Sequence, residues 1–226
     1  MCGRFAFYSP HEAVQDIFGV TFPAPLEARY NIAPSSFVVA LRAGDDAALE
    51  PAVLKWGLVP SWAKDPAIGN RMINARAETA HEKPSFRAAF KRRRCVVLAD
   101  GFYEWHREGD HKTPYFIALP ERQPFAMAGL WEDWQGTEGS GLQTCTILTT
   151  AANAVMKPLH DRMPIILPPE GARHWCGHAG DERVAAREYL AENDNDRIIY
   201  WPVSTVVNNP RNDGPDLVEE ARPKES

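Results

Sequence analysis

The sequence predicts an α+β fold with a strand-rich core and several short flanking helices. Apolar runs of strand length recur along the chain, and no strand–helix alternation lasts long enough for a doubly wound sheet. The 19 prolines, many of them flanking these runs, imply fixed turns rather than flexible connections. At 226 residues and 44% hydrophobic, the chain can bury a full core and fits one large domain. That domain is expected over 1–209. Residues 210–226, where acidic residues (Asp213, Asp216, Glu219, Glu220, Glu225) outnumber basic ones, are expected as a flexible tail.

Along the chain, Ser9-Pro10-His11-Glu12 supplies a capping serine, a proline at the first helical position and an acid three residues after the cap. A helix over 10–18 follows, closed by Gly19. Residues 37–41, 95–99, 115–119, 125–128, 144–148 and 163–167 read as strands, mostly too apolar on both faces to be edges. Helices are expected over 74–81, 85–91, 151–156 and 181–191.

The formal net charge of −5 argues against a broad basic surface for duplex nucleic acid, so any nucleic-acid site must be local. Arg87 and the run Lys91 to Arg94 form a basic cluster whose ordinary reading is a solvated helix end. No apolar run is long enough to span a bilayer and the start lacks a signal-peptide pattern, which places the expected protein in the cytosol. The four cysteines show no CxxC spacing, and Cys95 and Cys145 lie in apolar runs, so buried thiols are expected rather than a disulfide scaffold. His174, Cys176 and His178 lack a distant second pair of ligands, and no metal is expected.

Cys2 carries the most distinctive chemistry. Loss of Met1 leaves a free amine and a thiol on one residue, a 1,2-aminothiol. The amine, with an ordinary pKa of about 7.7–8.0, condenses with an aldehyde, and the thiol, ordinarily near 8.5, closes a thiazolidine ring. The ordinary reading of a cysteine at position 2 is a frayed terminus without function.

Four further stretches carry residues that a core does not require. In Trp56-Gly57-Leu58-Val59-Pro60-Ser61-Trp62 the apolar run breaks at Pro60, leaving Trp62 as a stacking platform for bases or, equally, a core indole. Asn74 is a candidate N-cap with Arg76 in the first helical turn, a costly place for a cation unless an anion such as phosphate binds there. Glu104 lies among Phe102, Tyr103 and Trp105. Desolvation in such surroundings favours a neutral carboxyl suited to general acid/base work, while strand alternation would turn Glu104 to solvent. His160, Asp161 and Arg162 share a proline-bounded loop, where a histidine can shuttle protons and an arginine can hold phosphate.

Taken together, Met1-Cys2-Gly3-Arg4-Phe5, Tyr30-Asn31-Ile32-Ala33-Pro34, Trp56 to Trp62, Asn74-Ala75-Arg76-Ala77-Glu78-Thr79, Gly101-Phe102-Tyr103-Glu104-Trp105 and His160-Asp161-Arg162-Met163-Pro164 closely resemble the SOS-response-associated peptidase (SRAP) family of abasic-site processing proteins. The match runs in order from residue 1 to about Pro210.

The resemblance implies a mixed, barrel-like sheet and a covalent thiazolidine between Cys2 and the ring-opened aldehyde of an abasic site in single-stranded DNA. Removal of Met1 would be a self-cleavage, and weak β-elimination a side reaction. In that reading Asn74 orients the N-terminal residue, Glu104 assists sugar opening, and His160 serves as acid/base. Arg4, Arg76 and Arg162 would grip phosphates, while Pro34, Trp62, Trp105 and Thr149 shape the DNA path. It further implies a monomer without cofactor, working near the nucleoid with replication-fork proteins as partners. Two rival classes stand beside it: a cysteine peptidase or amidohydrolase acting on external substrates, and a non-catalytic single-strand binder.

Overall fold

The computed structural model describes residues 2–44, 48–136, 139, 141–177 and 197–221. In chain order the elements are β1 (Phe5–Phe7), α1 (His11–Phe18), β2 (Arg29–Ile32), β3 (Phe37–Ala43), β4 (Leu49–Trp56), β5 (Asn74–Arg76), α2 (Ala77–Ala80), α3 (Arg87–Arg92), β6 (Arg94–Ala99), β7 (Gly101–Glu108), β8 (His111–Ala118), β9 (Phe125–Gln135), β10 (Gly141–Ala151), β11 (Arg162–Pro164), β12 (Ile166–Leu167), α4 (Pro169–Gly177) and β13 (Ile199–Pro202).

Two sheets organise the molecule. An 8-stranded mixed sheet closes on itself: β3 pairs β4 and β6, β6 pairs β9, β9 pairs β10, and β10 returns to β4 in a parallel pairing. Closure removes the exposed edges that a sheet of this size would otherwise present. Short β5 and β11 attach to β10, and β12 to β9. A 5-stranded sheet in the order β13-β8-β7-β1-β2 is antiparallel throughout. The α+β, barrel-like expectation therefore holds. The continuous apolar runs of β6, β9 and β10 belong to strands buried on both sides.

The core gathers around the ring. Trp56, fully buried, meets Phe5 edge to face at 5.1 Å and donates its indole N–H to Ile73 O at 2.9 Å, so it fills the core rather than a binding surface. Part of the basic cluster is also absorbed. Arg94 is buried, 4.7 Å from the Trp175 ring, and Arg93 pairs with Glu132 at 2.8 Å. Arg87 and Arg92 alone in that run remain exposed, so the cluster is only partly a solvated helix end.

Several local expectations are corrected. Ser9 does not cap α1, which starts at His11 with Pro10 at the cap position and ends at Gly19 in the left-handed region, φ 70°. The Ser9 hydroxyl instead donates to buried Asp100, which also accepts the Tyr8 and Ser9 backbone N–H groups. Residues 74–76 form a strand rather than a first helical turn, because β10 offers them parallel partners at Ile147, Leu148 and Thr149. Only 77–80 are helical. Over 151–156, Ala151 completes β10 opposite Arg162, and a series of turns follows in which the Asn153 side chain accepts the Met156 N–H at 2.9 Å. Pro158 has no N–H with which to continue a helix there. The helix expected over 181–191 lies outside the described residues.

The stretch 210–221, expected as flexible, is packed. Leu217 and Val218 are buried, Val203 bridges Glu220, and Asp213 accepts the Tyr30 N–H at 2.5 Å. Acidic composition suggested solvation, but its two aliphatic residues find a cluster with Ala6, Tyr103 and Phe116. Among the described residues no helix is long and apolar enough to cross a membrane.

Candidate active site

The site grows from the way the first residues are held. β1 lies between β2 and β7, with Phe5 opposite both Ile32 and Phe102, and the Tyr103 N–H donates to Arg4 O at 2.9 Å. A terminus fixed on both sides does not fray. Cys2 is fully buried, and its carbonyl accepts the Asn74 Nδ2–H at 2.7 Å. The Asn74 Oδ1 acceptor is buried without a hydrogen-bond partner among the described residues. Asn74 thus reaches Cys2 from a strand, β5, not from a helix cap.

Glu104 is buried, at 5% exposure, in the first half of β7, which is paired with β1 on one side and β8 on the other. The solvent-facing alternative for Glu104 is therefore excluded. Burial pushes the Cys2 thiol far above its ordinary value, the Glu104 carboxylate pushes it the same way, and the Arg4 backbone N–H opposes them. Buried Cys2 thus has half-buried Asn74 on its carbonyl and buried Glu104 near its thiol.

A second group is assembled on β10. Its pairing with β5 sets Asn74 opposite Ile147 and Arg76 opposite Thr149, so Asn74 and Arg76 share one face of β5. Thr149 is buried, and its carbonyl accepts from Arg162 Nη2 at 2.6 Å. Arg162 also donates bidentately to Glu78, 2.6 Å to Oε1 and 2.8 Å to Oε2, and this holds the Glu78 carboxyl below the usual carboxylate range while burial opposes. The end of the Arg162 fork assigned to phosphate is therefore already engaged by Glu78. His160 Nδ1 accepts the Arg162 backbone N–H at 2.9 Å, which leaves Nε2 to carry the proton of the neutral ring. Arg76 is exposed at the cap position of α2. With α2 only 4 residues long, the argument from an opposed helix dipole loses its basis.

The third group stands on the other face of the 5-stranded sheet. Trp105 follows Glu104 on β7 and so points away from it, beside Tyr103 at 6.4 Å. The Arg4 guanidinium lies 5.8 Å from the Trp105 ring and donates to Asn31 Oδ1 at 2.7 Å and to Val207 O at 3.0 Å. Lys112 approaches the same ring at 5.7 Å.

Trp62 is 58% exposed and sits beside a cleft of about 330 Å³ lined with Lys64, Asp65, Ile68 and Arg71. Its loop is rigidly mounted. Gly57, at φ 128°, lets the backbone at Gly69 approach so closely that a Cβ would meet Gly69 O at 2.7 Å. Pro34 is half-buried just after β2, followed by Ser35 in the left-handed region, φ 70°. No described contact joins Trp62 or Pro34 to Cys2.

Asn31, Glu78, Asp100 and Lys112 were not singled out by sequence reasoning. Asn31 and Glu78 do lie inside motifs that the resemblance used, and a buried asparagine in an apolar segment was the available signal. No group of three or more metal-capable side chains occurs among the described residues. All four cysteines are buried and free, and burial raises the Cys176 thiol to about 12.

The model of the SOS response associated peptidase (SRAP) family matches residues 1–210. The chain belongs to the SRAP family. Abasic site processing protein YoqW of Bacillus subtilis is 41% identical over 97% of this chain and 99% of its own length. Abasic site processing protein YedK of Escherichia coli is 34% identical over 97% of this chain and 99% of its own. Abasic site processing protein HMCES of Xenopus tropicalis is 38% identical over 74% of this chain and 56% of its own. Among solved structures, a protein from Bacteroides thetaiotaomicron superposes with a TM-score of 0.85 at 25% identity, covering 98% of this chain and 100% of that one. The buried N-terminal cysteine of this SRAP chain thus sits in a fold shared across the family.

Proposed function

We propose that this SRAP protein processes abasic sites in single-stranded DNA by forming a covalent crosslink through Cys2 once Met1 has been removed. The observation that carries the reading is the 2.7 Å bond from Asn74 to the Cys2 carbonyl, which fixes the residue whose amine and thiol must act together beside buried Glu104. While Met1 is attached, the Cys2 nitrogen is an amide and is not nucleophilic. Cleavage of that bond by water yields free methionine and the 1,2-aminothiol.

The ring-opened aldehyde then loses its oxygen as water as the Cys2 amine forms an imine. The thiol adds to the imine carbon, its proton passes to the nitrogen, and a thiazolidine results. Asn74 Oδ1, buried and open, accepts from the new amine, and Glu104 relays protons between sugar oxygen, thiol and amine. His160, oriented by the Arg162 backbone N–H on its Nδ1, serves water release and the reverse reaction. Loss of the C2′ proton, α to the imine carbon, with departure of the 3′-phosphate from the β-carbon instead gives weak strand cleavage.

Affinity comes from few contacts, consistent with a net charge of −5: Arg4 and Arg76 neutralise phosphates, Arg162 exchanges or extends its Glu78 contact, and Trp62 and Trp105 take bases. Thr149 and Pro34 shape the path. The result is a capped lesion protected while the strand is copied.

A cysteine peptidase acting on external substrates fits less well. Such enzymes need an exposed, low-pKa thiolate, whereas Cys2 is buried and its thiol is raised by burial and by Glu104. The test mixes purified protein with a single-stranded oligonucleotide carrying one abasic site, followed by a denaturing gel and intact masses. A heat-stable adduct on protein lacking Met1, absent in Cys2→Ala, is the expected result. No adduct from correctly processed protein overturns the reading.

A further inference from the structure

Residues 203–221 cross the outer face of the 5-stranded sheet as a strap. Its ends are tied by the Val203–Glu220 bridge and by burial of Leu217 and Val218. At its centre Val207 is fully buried, while Asn31 Nδ2 reaches Val207 O, Asn209 O and Asn212 O at 3.2, 3.1 and 2.8 Å. Further bonds stiffen the turn itself: Asn212 Nδ2 donates to Val206 O at 2.9 Å, and the Arg211 N–H to Asn209 Oδ1 at 3.1 Å.

One side chain of this rigid turn is directed elsewhere. Asn208 is exposed, and its Oδ1 accepts the Trp105 indole N–H at 2.7 Å. Trp105 stands where β7 passes from buried to exposed residues, so packing alone holds only part of its ring. The ring has Arg4 within 5.8 Å and Lys112 within 5.7 Å. An indole with two cations near its ring supplies countercharge for the phosphate of a base that stacks on it. Such a surface is useful only in one orientation, and a half-buried indole has a broad choice of χ2 unless its N–H is fixed.

We propose that Asn208 is a positioning residue for Trp105, so that the C-terminal strap sets one wall of the DNA path. The proposal rests on the single-strand reading above. Asn208 acts by holding the ring in place before DNA arrives, which lowers the ordering cost of binding and leaves the Cys2 chemistry untouched.

The test measures noncovalent affinity for a single-stranded oligonucleotide bearing a tetrahydrofuran abasic analogue, which cannot open to an aldehyde. Wild type, Asn208→Ala, Trp105→Phe and the double variant are compared, together with adduct rates on a true abasic oligonucleotide. Asn208→Ala is expected to weaken binding about three- to tenfold, the worth of one hydrogen bond, with the adduct rate at saturating DNA unchanged. In the Trp105→Phe background, where the N–H is gone, the same substitution should add little. Equal affinities of wild type and Asn208→Ala overturn the proposal, as does an undiminished loss in the Trp105→Phe background. Wild-type protein that binds no single strand and forms no adduct defeats the functional reading itself, a result visible before any variant is compared. Because Asn208 is exposed, thermal midpoints of all four proteins should report intact folding.

Discussion

Replacing Asn31 with alanine should destabilise the protein by an amount that can be worked from its contacts. Asn31 is 2% exposed, and its side chain joins β2 to the strap and to Arg4. Not every partner is orphaned by the change. Val207 O keeps the Arg4 Nη1–H at 3.0 Å, and Asn209 O keeps the Asn212 N–H at 3.1 Å. The losses fall on Asn212 O and on one N–H of the Arg4 guanidinium. A buried neutral group left unpaired costs about 1–3 kcal/mol, and a hydrogen bond to a charged group contributes about 1.5–3 kcal/mol. Water reaching these part-buried groups returns some of that, which leaves about 2–4 kcal/mol. Urea unfolding measures it: with a slope of about 2–3 kcal/mol per molar, the midpoint should fall by about 1 M at unchanged slope. Asn31→Asp keeps the acceptor for Arg4 but loses the donors, so it should preserve more affinity for single-stranded DNA than Asn31→Ala does. A midpoint shift below about 0.2 M would refute the argument that this one amide ties strap to sheet.

Glu104→Gln should slow adduct formation by at least about a hundredfold, the low end of a general acid/base contribution, with noncovalent binding to the tetrahydrofuran oligonucleotide nearly intact; unchanged adduct kinetics would remove Glu104 from the mechanism. The Glu78–Arg162 pair gives a pH dependence. Because the Glu78 carboxyl is held below its ordinary value, its stabilisation is fully present above the unfolded-state pKa and lost as pH falls through the folded one. Glu78 is half exposed, so screening keeps the pair at about 1 kcal/mol or less, and Glu78→Gln should flatten the acid limb of stability against pH by that amount in urea melts. Gly57→Ala meets both a φ of 128° and the Gly69 carbonyl. It should cost about 1–3 kcal/mol and displace the Trp62 loop, read as a lower thermal midpoint together with weaker single-strand binding.

Some of this protein was fixed by local sequence. The apolar runs of β6, β9 and β10 read as strands from the sequence alone, because uninterrupted apolar stretches of strand length suit burial on both faces of a sheet. Gly19 ends α1 because only a residue tolerant of positive φ closes it cheaply. The family, too, was legible, since its motifs are strings of residues and need no geometry to be matched. Tertiary structure decided the rest. Ser9 has the chemistry of a cap, yet Asp100, distant in sequence, captures its hydroxyl. Asn74-Ala75-Arg76 would begin a helix, but the open side of β10 draws it into a strand and so brings Asn74 to Cys2. Arg162 looks free for phosphate in the sequence, and only the fold shows Glu78 already in its fork. The acidic stretch after Pro210 packs because two aliphatic residues find a hydrophobic cluster built by four other segments. Local sequence sets what each residue is able to do, and long-range pairing selects among competing partners of similar strength, because the free energy that separates them arises only when the chain is assembled.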